Sequence, residues 1–162
     1  MLHASITEVN MLTAKDIMTK DVVTVKPDTS IAELASLLVK NRISGAPVVD
    51  DAGNLYGIVT EKDLISRSKR LHIPTVVSFL DANIYLESSK KFEEEVRRLT
   101  ATRVGDICVR KVVTITEDAS LVDIATLMSE KHAHLLPVVK NGKVTGIVGK
   151  RDMVKAVAQQ AE

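Results

Sequence analysis

Residues 57–64 read Gly-Ile-Val-Thr-Glu-Lys-Asp-Leu, and residues 146–153 read Gly-Ile-Val-Gly-Lys-Arg-Asp-Met. In both copies a short apolar run passes directly into a polar segment that ends in an aspartate, which predicts a strand that leads into a helix. Outward from these stretches the match extends over residues 14–70 and 104–159, at an offset of 90 that falls to 89 opposite Ala52. A repeat of this length predicts two copies of one structural unit.

Each copy predicts the element order strand, helix, strand, strand, helix. The first copy shows this as a β-branched run at Val22–Val25, a capping box at Ser30-x-x-Glu33, a strand from Pro47, its partner at Tyr56–Val59 and a helix from near Thr60. In the second copy the signals are Ser120-x-x-Asp123, the hairpin turn Asn141-Gly142 and a helix from near Gly149. Each copy is therefore a βαββα unit.

The predicted fold class is α+β, with two βαββα units packed as a pseudo-two-fold pair. One unit of about 55 residues would be marginal alone, so the copies are expected to share a core. The expected division is 1–70 for the N-terminal segment and first unit, 71–103 for a connecting insert, and 104–162 for the second unit. A helix is expected within the insert at Glu87–Thr102. The insert could be an outer connector, or an oligomer contact or lid over a cleft.

Composition excludes several classes of function. A net charge of +1 and 2% aromatic residues argue against nucleic-acid binding. No apolar run approaches the roughly 18 residues that a membrane span requires, and residues 1–11 do not read as a signal peptide. The chain has one cysteine, Cys108, and so no internal disulfide. A cytoplasmic location is therefore expected.

No catalytic or metal-binding signature stands out. The chain lacks a P-loop and the GxGxxG, GxSxG and HExxH motifs. His132 and His134 are two residues apart, unlike a helical zinc pair. Cys108 is expected to be a buried small residue rather than a nucleophile. We therefore expect no catalytic residues, no bound metal and no required cofactor, and we predict that the protein is not an enzyme.

The two strand-to-helix junctions are the best candidates for ligand contact. Backbone N–H groups and the helix dipole at such a junction favour a phosphate, while Asp63 could accept hydrogen bonds from ribose hydroxyls. Thr60 could add a hydroxyl donor, but Thr60 and Asp63 would equally make an ordinary capping box. In the second copy Gly149 lacks the hydroxyl. Its neighbours Lys150 and Arg151 could neutralise a phosphate or form a solvated basic turn.

Taken together, these segments resemble a tandem pair of cystathionine-β-synthase (CBS) domains, often called a Bateman module. The resemblance is carried by the openings Asp16-Ile17-Met18-Thr19 and Asp106-Ile107-Cys108-Val109, by residues 44–49 and 134–139, and by the two stretches quoted first. It implies regulatory modules that sense an adenosine-containing ligand such as AMP, ADP, ATP or S-adenosylmethionine. It also implies a homodimer, and a signal passed by conformational change to an unknown effector protein.

The resemblance also implies two clefts between the units. One would use Thr60, Lys62 and Asp63 with Val113, His134 and Leu135. The other would use Lys150, Arg151 and Asp152 with Met18, Val23, Ser44 and Gly45. The complete Thr-x-x-Asp pattern ranks the first cleft as the better site. The alternative is a structural dimerisation or interaction module without nucleotide, which loss of the threonine at Gly149 favours and retention of both aspartates opposes.

Overall fold

The helices and strands follow the repeat. The computed structural model describes residues 12–68, 76–79, 82–85 and 89–160, so the segment 1–11 lies outside it. The first unit contains α1 (Ala14–Ile17), α2 (Ile31–Asn41), β1 (Gly45–Val49), β2 (Leu55–Thr60) and α3 (Glu61–Arg67). The insert contains β3 (Val76–Phe79), β4 (Ala82–Tyr85) and α4 (Ser89–Thr100). The second unit contains α5 (Val104–Ile107), α6 (Leu121–Glu130), β5 (Leu135–Lys140), β6 (Lys143–Gly149) and α7 (Lys150–Gln160).

Each unit is built on one antiparallel hairpin. In the first, β1 pairs with β2 from Gly45 opposite Thr60 to Val49 opposite Leu55. In the second, β5 pairs with β6, and the predicted turn at Asn141 and Gly142 has φ angles of 51° and 78°. Two successive positive φ angles are what a two-residue hairpin turn needs. The hairpin prediction is therefore confirmed in both copies, and the α+β fold class with it.

The predicted first strand of each unit is wrong in extent. Val25 makes a single parallel bridge with Val48, and the run before it forms no ladder. The second unit repeats this with Ile115 and Val138. A β-branched run favours an extended backbone, but a strand also needs a neighbour along its length. Here only one residue of each run meets that neighbour.

The capping box predicted at Ser30 is present, and at Ser120 the serine caps the helix without the bond from its backbone N–H that completes a box. Ser30 donates from its backbone N–H and its hydroxyl to the Glu33 carboxylate at 2.9 and 2.8 Å, and the Glu33 N–H donates to the Ser30 hydroxyl at 3.2 Å. In the second unit the Ser120 hydroxyl donates to Asp123 at 2.7 Å, and the Asp123 N–H donates back to it at 3.1 Å. These bonds satisfy N–H groups that an isolated helix start leaves free.

The opening segments are exchanged between the units. The N–H of Ala14 donates to the Ala119 carbonyl at 2.8 Å, and Thr19 forms a two-way antiparallel bridge with Ile147. Reciprocally, the opening of the second half bonds to the first unit, with Val109 and Ile58 exchanging hydrogen bonds of 2.8 and 3.0 Å. Each unit is thus completed by the segment that precedes the other one. The boundaries at residues 70 and 104 stay a prediction.

The exchange also builds the two hydrophobic cores. The first combines Leu34, Val48 and Val59 with Val104 and Ile107 from the second opening. The second combines Ile124, Leu136, Val138 and Val148 with Ala14, while Ile17 and Met18 pack against it. The cores are aliphatic, as the scarcity of aromatic residues requires. Because each core takes side chains from both halves, neither half buries its apolar surface alone.

The insert contributes elements of its own. Strands β3 and β4 pair as an antiparallel hairpin, and α4 packs against α3 and α5. The helix predicted over 87–102 is therefore present with shorter bounds, and Phe92 and Leu99 on its apolar stripe are half-buried. Among the described residues, no helix is long and apolar enough to cross a membrane.

Candidate functional site

The first strand-to-helix junction closes on itself through Asp63. The backbone N–H and the hydroxyl of Thr60 both donate to Asp63 Oδ2, each at 2.8 Å. The next N–H, that of Glu61, donates to the Ser44 carbonyl at 2.9 Å. The capping arrangement considered from the sequence is therefore present. It holds the Asp63 carboxylate at the start of α3 and occupies the Thr60 hydroxyl that a phosphate would need.

The second junction has the same frame without the hydroxyl. The Gly149 N–H donates to Asp152 Oδ2 at 2.8 Å, and the Lys150 N–H donates to the His134 carbonyl at 3.3 Å. A Cβ on Gly149 would meet no atom closer than 3.5 Å, so a Cβ fits there without a clash. The second junction therefore keeps the Asp152 carboxylate in place but has no threonine hydroxyl to hydrogen-bond to it in place of a ligand.

A cavity of about 490 Å³ opens beside this second junction. That volume lies within the range of small-molecule sites, roughly 300–1,000 Å³. Both units line it: Ile43 and Ser44 come from the loop before β1, and Ile147 and Asp152 come from β6 and α7. The cavity therefore lies between the two copies, beside the junction that carries Asp152.

Most residues predicted for the second cleft line this cavity. They are Val23, Ser44, Gly45, Lys150, Arg151 and Asp152. Met18 is not on its wall, because its side chain packs against Gly146 and the second core. Its neighbour Thr19 lines the cavity instead. A ligand role for each of these residues stays a prediction.

Two residues predicted for the first cleft also lie on this wall. His134 and Leu135 line the cavity, and a Cβ built on Gly45 would lie 3.0 Å from both Leu135 Cδ2 and Thr60 Cγ2. The two junctions are therefore neighbours across the contact between Gly45 and Leu135. Thr60 and Asp63 are half-buried at their own junction, and Lys62 is exposed there.

The remaining first-cleft residue, Val113, is half-buried and packs against the second core. Cys108 packs against the first core instead and is half-buried, and a Cβ on Gly57 would lie 3.0 Å from its sulfur. Burial, with smaller contributions from Asp63 and Asp106, raises the pKa of the Cys108 thiol against the opposing charge of Arg110. A raised pKa suppresses the thiolate, so this cysteine has no activated nucleophile character.

Sequence reasoning missed several residues of the cavity wall. They are Thr19, Asp21, Val22, Arg42, Ile43, Ile147 and Lys155. Thr19 ends the exchanged opening and Asp21 and Val22 follow it, and the repeat does not reveal where that opening lies. Lys155 could have been predicted from the sequence, because it lies one helical turn beyond Arg151 and on the same helix face. Within the described ranges, no three His, Cys, Asp or Glu side chains are grouped as a metal site requires.

Comparison with known proteins identifies the same family in both halves of the chain. A family model described as "CBS domain" matches residues 14–70 and 104–159. The chain is 31% identical over 173 residues to "CBS domain-containing protein CBSX1, chloroplastic" of Arabidopsis thaliana, an alignment that covers 98% of this chain and 70% of that protein.

Solved structures match over nearly the whole chain. CBSX2 of Arabidopsis thaliana, in complex with AMP, superposes with a TM-score of 0.75 at 28% identity, covering 91% of this chain and 97% of the other. The CBS domain pair of protein MJ0100, in complex with 5′-methylthioadenosine and S-adenosyl-L-methionine, superposes with a TM-score of 0.69 at 25% identity. That match covers 93% of this chain and 98% of the other.

Proposed function

This chain belongs to the CBS-domain family, as a tandem pair, and we propose that it is a regulatory module that binds an adenosine-containing ligand between its two units. The observation that carries the proposal is the cavity lined by both copies beside Asp152. The complexes of CBSX2 with AMP and of MJ0100 with S-adenosyl-L-methionine support the ligand class. AMP, ADP, ATP and S-adenosylmethionine are the candidates.

Each part of such a ligand has a counterpart on the wall. Val23, Ile43 and Ile147 offer apolar surface for an adenine ring, which a chain with few aromatic residues must hold between aliphatic side chains. The Asp152 carboxylate, fixed by the Gly149 N–H, is placed to accept from ribose hydroxyls. Lys150 and Arg151 begin α7, where the helix dipole also favours a phosphate.

A ligand in this position touches both units at once. It can change their relative arrangement to the extent that it binds one arrangement better than another. We propose that this shift is the output, that the protein acts as a homodimer, and that it signals to an effector protein in the cytoplasm. We also propose that it has no catalytic activity of its own.

The test is calorimetry of the purified protein with AMP, ADP, ATP and S-adenosylmethionine. Asp152→Ala and Asp63→Ala, tested separately, assign any binding to one junction, and Asp123→Ala changes a carboxylate at a helix start that lines neither. Micromolar binding lost in one junction variant supports the proposal. No binding across the panel contradicts it and favours a structural module with empty clefts. Incubation with ATP and magnesium, followed by chromatography, tests the absence of catalysis.

A further inference from the structure

We propose that the cavity beside Asp152 selects ligands with two or more phosphates, whereas the junction at Asp63 does not. This inference rests on the proposed function and adds the charge of the ligand. Four permanent cations line the cavity, Arg42, Lys150, Arg151 and Lys155, against two carboxylates, Asp21 and Asp152. A concave site lined by one dominant sign of charge raises the local concentration of ligands of the opposite sign.

Two of these cations stand where the fold alone does not favour them. Lys150 and Arg151 lie in the first turn of α7, with Asp152 as the acidic residue of that turn, and Lys155 follows in the next turn. The positive end of the helix dipole is there, so cations at this end weaken the helix. Arg151 and Lys155 are four residues apart and project from the same face. An anion that they bind in common offsets this unfavourable placement.

The fourth cation comes from the first unit. Arg42 is the C-cap of α2 and has φ 54° and ψ 43°, the left-handed conformation that glycine or asparagine adopts at least cost. Its side chain is exposed and lines the cavity. Because Arg42 and α7 belong to different units, one polyphosphate chain that reaches both would connect the two halves. A single phosphate held at the start of α7 would leave Arg42 without an anion.

The pseudo-symmetric positions of the other copy carry no such excess. The repeat places His132, Glu61, Lys62 and Ser66 where the cavity has Arg42, Lys150, Arg151 and Lys155. With Lys111 and Asp63 at the counterparts of Asp21 and Asp152, and with histidine counted as neutral, the six positions sum to zero formal charge, compared with +2 at the cavity. Thr60 makes the Asp63 junction the better site when the sequence motif alone is considered. For a polyphosphate, the four cations make the Asp152 cavity the better site instead.

Calorimetry with ATP and AMP, on the protein and on three variants, tests this charge selection. Arg42→Asn keeps a residue that tolerates the left-handed backbone, and Lys155→Gln removes the cation of the second helical turn. Lys40→Gln is the matched control, because it removes an exposed lysine two residues from Arg42 that does not line the cavity. We expect ATP to bind at least tenfold more tightly than AMP. Arg42→Asn and Lys155→Gln should each weaken ATP about five- to tenfold and AMP less than twofold.

Equal affinity for ATP and AMP, or equal losses for both ligands in the cavity variants, overturns the charge selection while leaving adenosine binding intact. A loss of ATP affinity in Lys40→Gln as large as in Arg42→Asn also overturns it, because the effect would then be one of net charge. Failure of every adenosine ligand to bind is a different result, and it contradicts the proposed function itself.

Discussion

The side chain of Met18 covers Gly146 so closely that a Cβ on Gly146 would overlap the Met18 sulfur and lie 2.8 Å from its Cγ. Met18 belongs to the first half of the sequence, yet it packs on the core of the second unit. We expect Gly146→Ala to lower the free energy of unfolding by about 1–2 kcal/mol, because the methionine must repack around the added methyl group. Urea unfolding measures this.

The same contact predicts a coupling between the two residues. In a Met18→Ala background, Gly146→Ala should cost close to nothing, since the overlapping atoms are gone. A double-mutant cycle should therefore show that the two changes are non-additive by about 1 kcal/mol. Strictly additive losses would mean that Met18 and Gly146 do not meet in solution, and that the opening segment is not exchanged as described.

Replacement of Gly149 by threonine should be tolerated. Its backbone lies outside the left-handed region, and a Cβ there would make only ordinary contacts with Leu135, Asp152 and His134. Threonine caps a helix at least as well as glycine and reduces the freedom of the unfolded chain. We expect Gly149→Thr to raise the free energy of unfolding by about 0.5 kcal/mol, read as a higher urea midpoint. A clear loss of stability would contradict this description of the junction.

Acid should destabilise the protein partly through carboxylates that accept hydrogen bonds in the folded state, at a helix cap and in a hairpin turn. Hydrogen bonds from the backbone and hydroxyl of Ser30 hold the pKa of Glu33 below its usual value, and the pKa of Asp50 is lowered chiefly by the Asn54 N–H. When the pKa of a carboxyl group is lower in the folded state, the unfolded chain binds the proton more readily. The stabilisation from that carboxylate is therefore complete above about pH 5, and it is lost as the pH falls through the pKa of the folded state.

Glu33→Gln removes one of these titrations. We expect urea midpoints to fall less steeply between about pH 5 and pH 3 in this variant than in the unaltered protein. Identical slopes would show that the Ser30 bonds do not persist in solution. Lys40→Gln, an exposed lysine on the same helix, controls for the change in net charge because lysine stays protonated across this range.

The exchanged openings predict that the two units unfold together. Leu34 is fully buried in the first core, beside Val104 from the opening of the second half. Leu34→Ala should cost about 2–5 kcal/mol. Methyl signals of Val48 and Val138, one from each core, should disappear at the same lowered urea concentration. Survival of the Val138 signal after that of Val48 is lost would show that the cores are independent.

Local features of the fold could be predicted from the sequence because local chemistry determines them. The serine caps at Ser30 and Ser120 and the Asn141-Gly142 turn depend on residues within four positions of each other, and all three are confirmed. The family was also identified correctly from the repeated segments. The hairpin of the insert, in contrast, lies in an apolar run that periodicity could not assign to strand or helix.

Features that depend on distant partners could not be predicted. A repeat aligns each opening with the unit that follows it, so nothing in the pattern shows that Thr19 pairs with Ile147. The set of residues predicted for the cavity wall was incomplete for the same reason. Arg42 lies two residues before the predicted Ser44, but only the tertiary fold brings it opposite α7.

The most direct test of a shared ligand site is a methyl NMR titration of the whole chain with ATP and, in a separate sample, with AMP. Binding between the units should shift the signals of Val23 and Ile43 from the first unit together with Leu135 and Ile147 from the second, all at one ligand concentration. Leu34 and Ile124, fully buried in the two cores, should change much less. Shifts confined to one unit, or none with either nucleotide, would contradict a ligand site shared by the two copies.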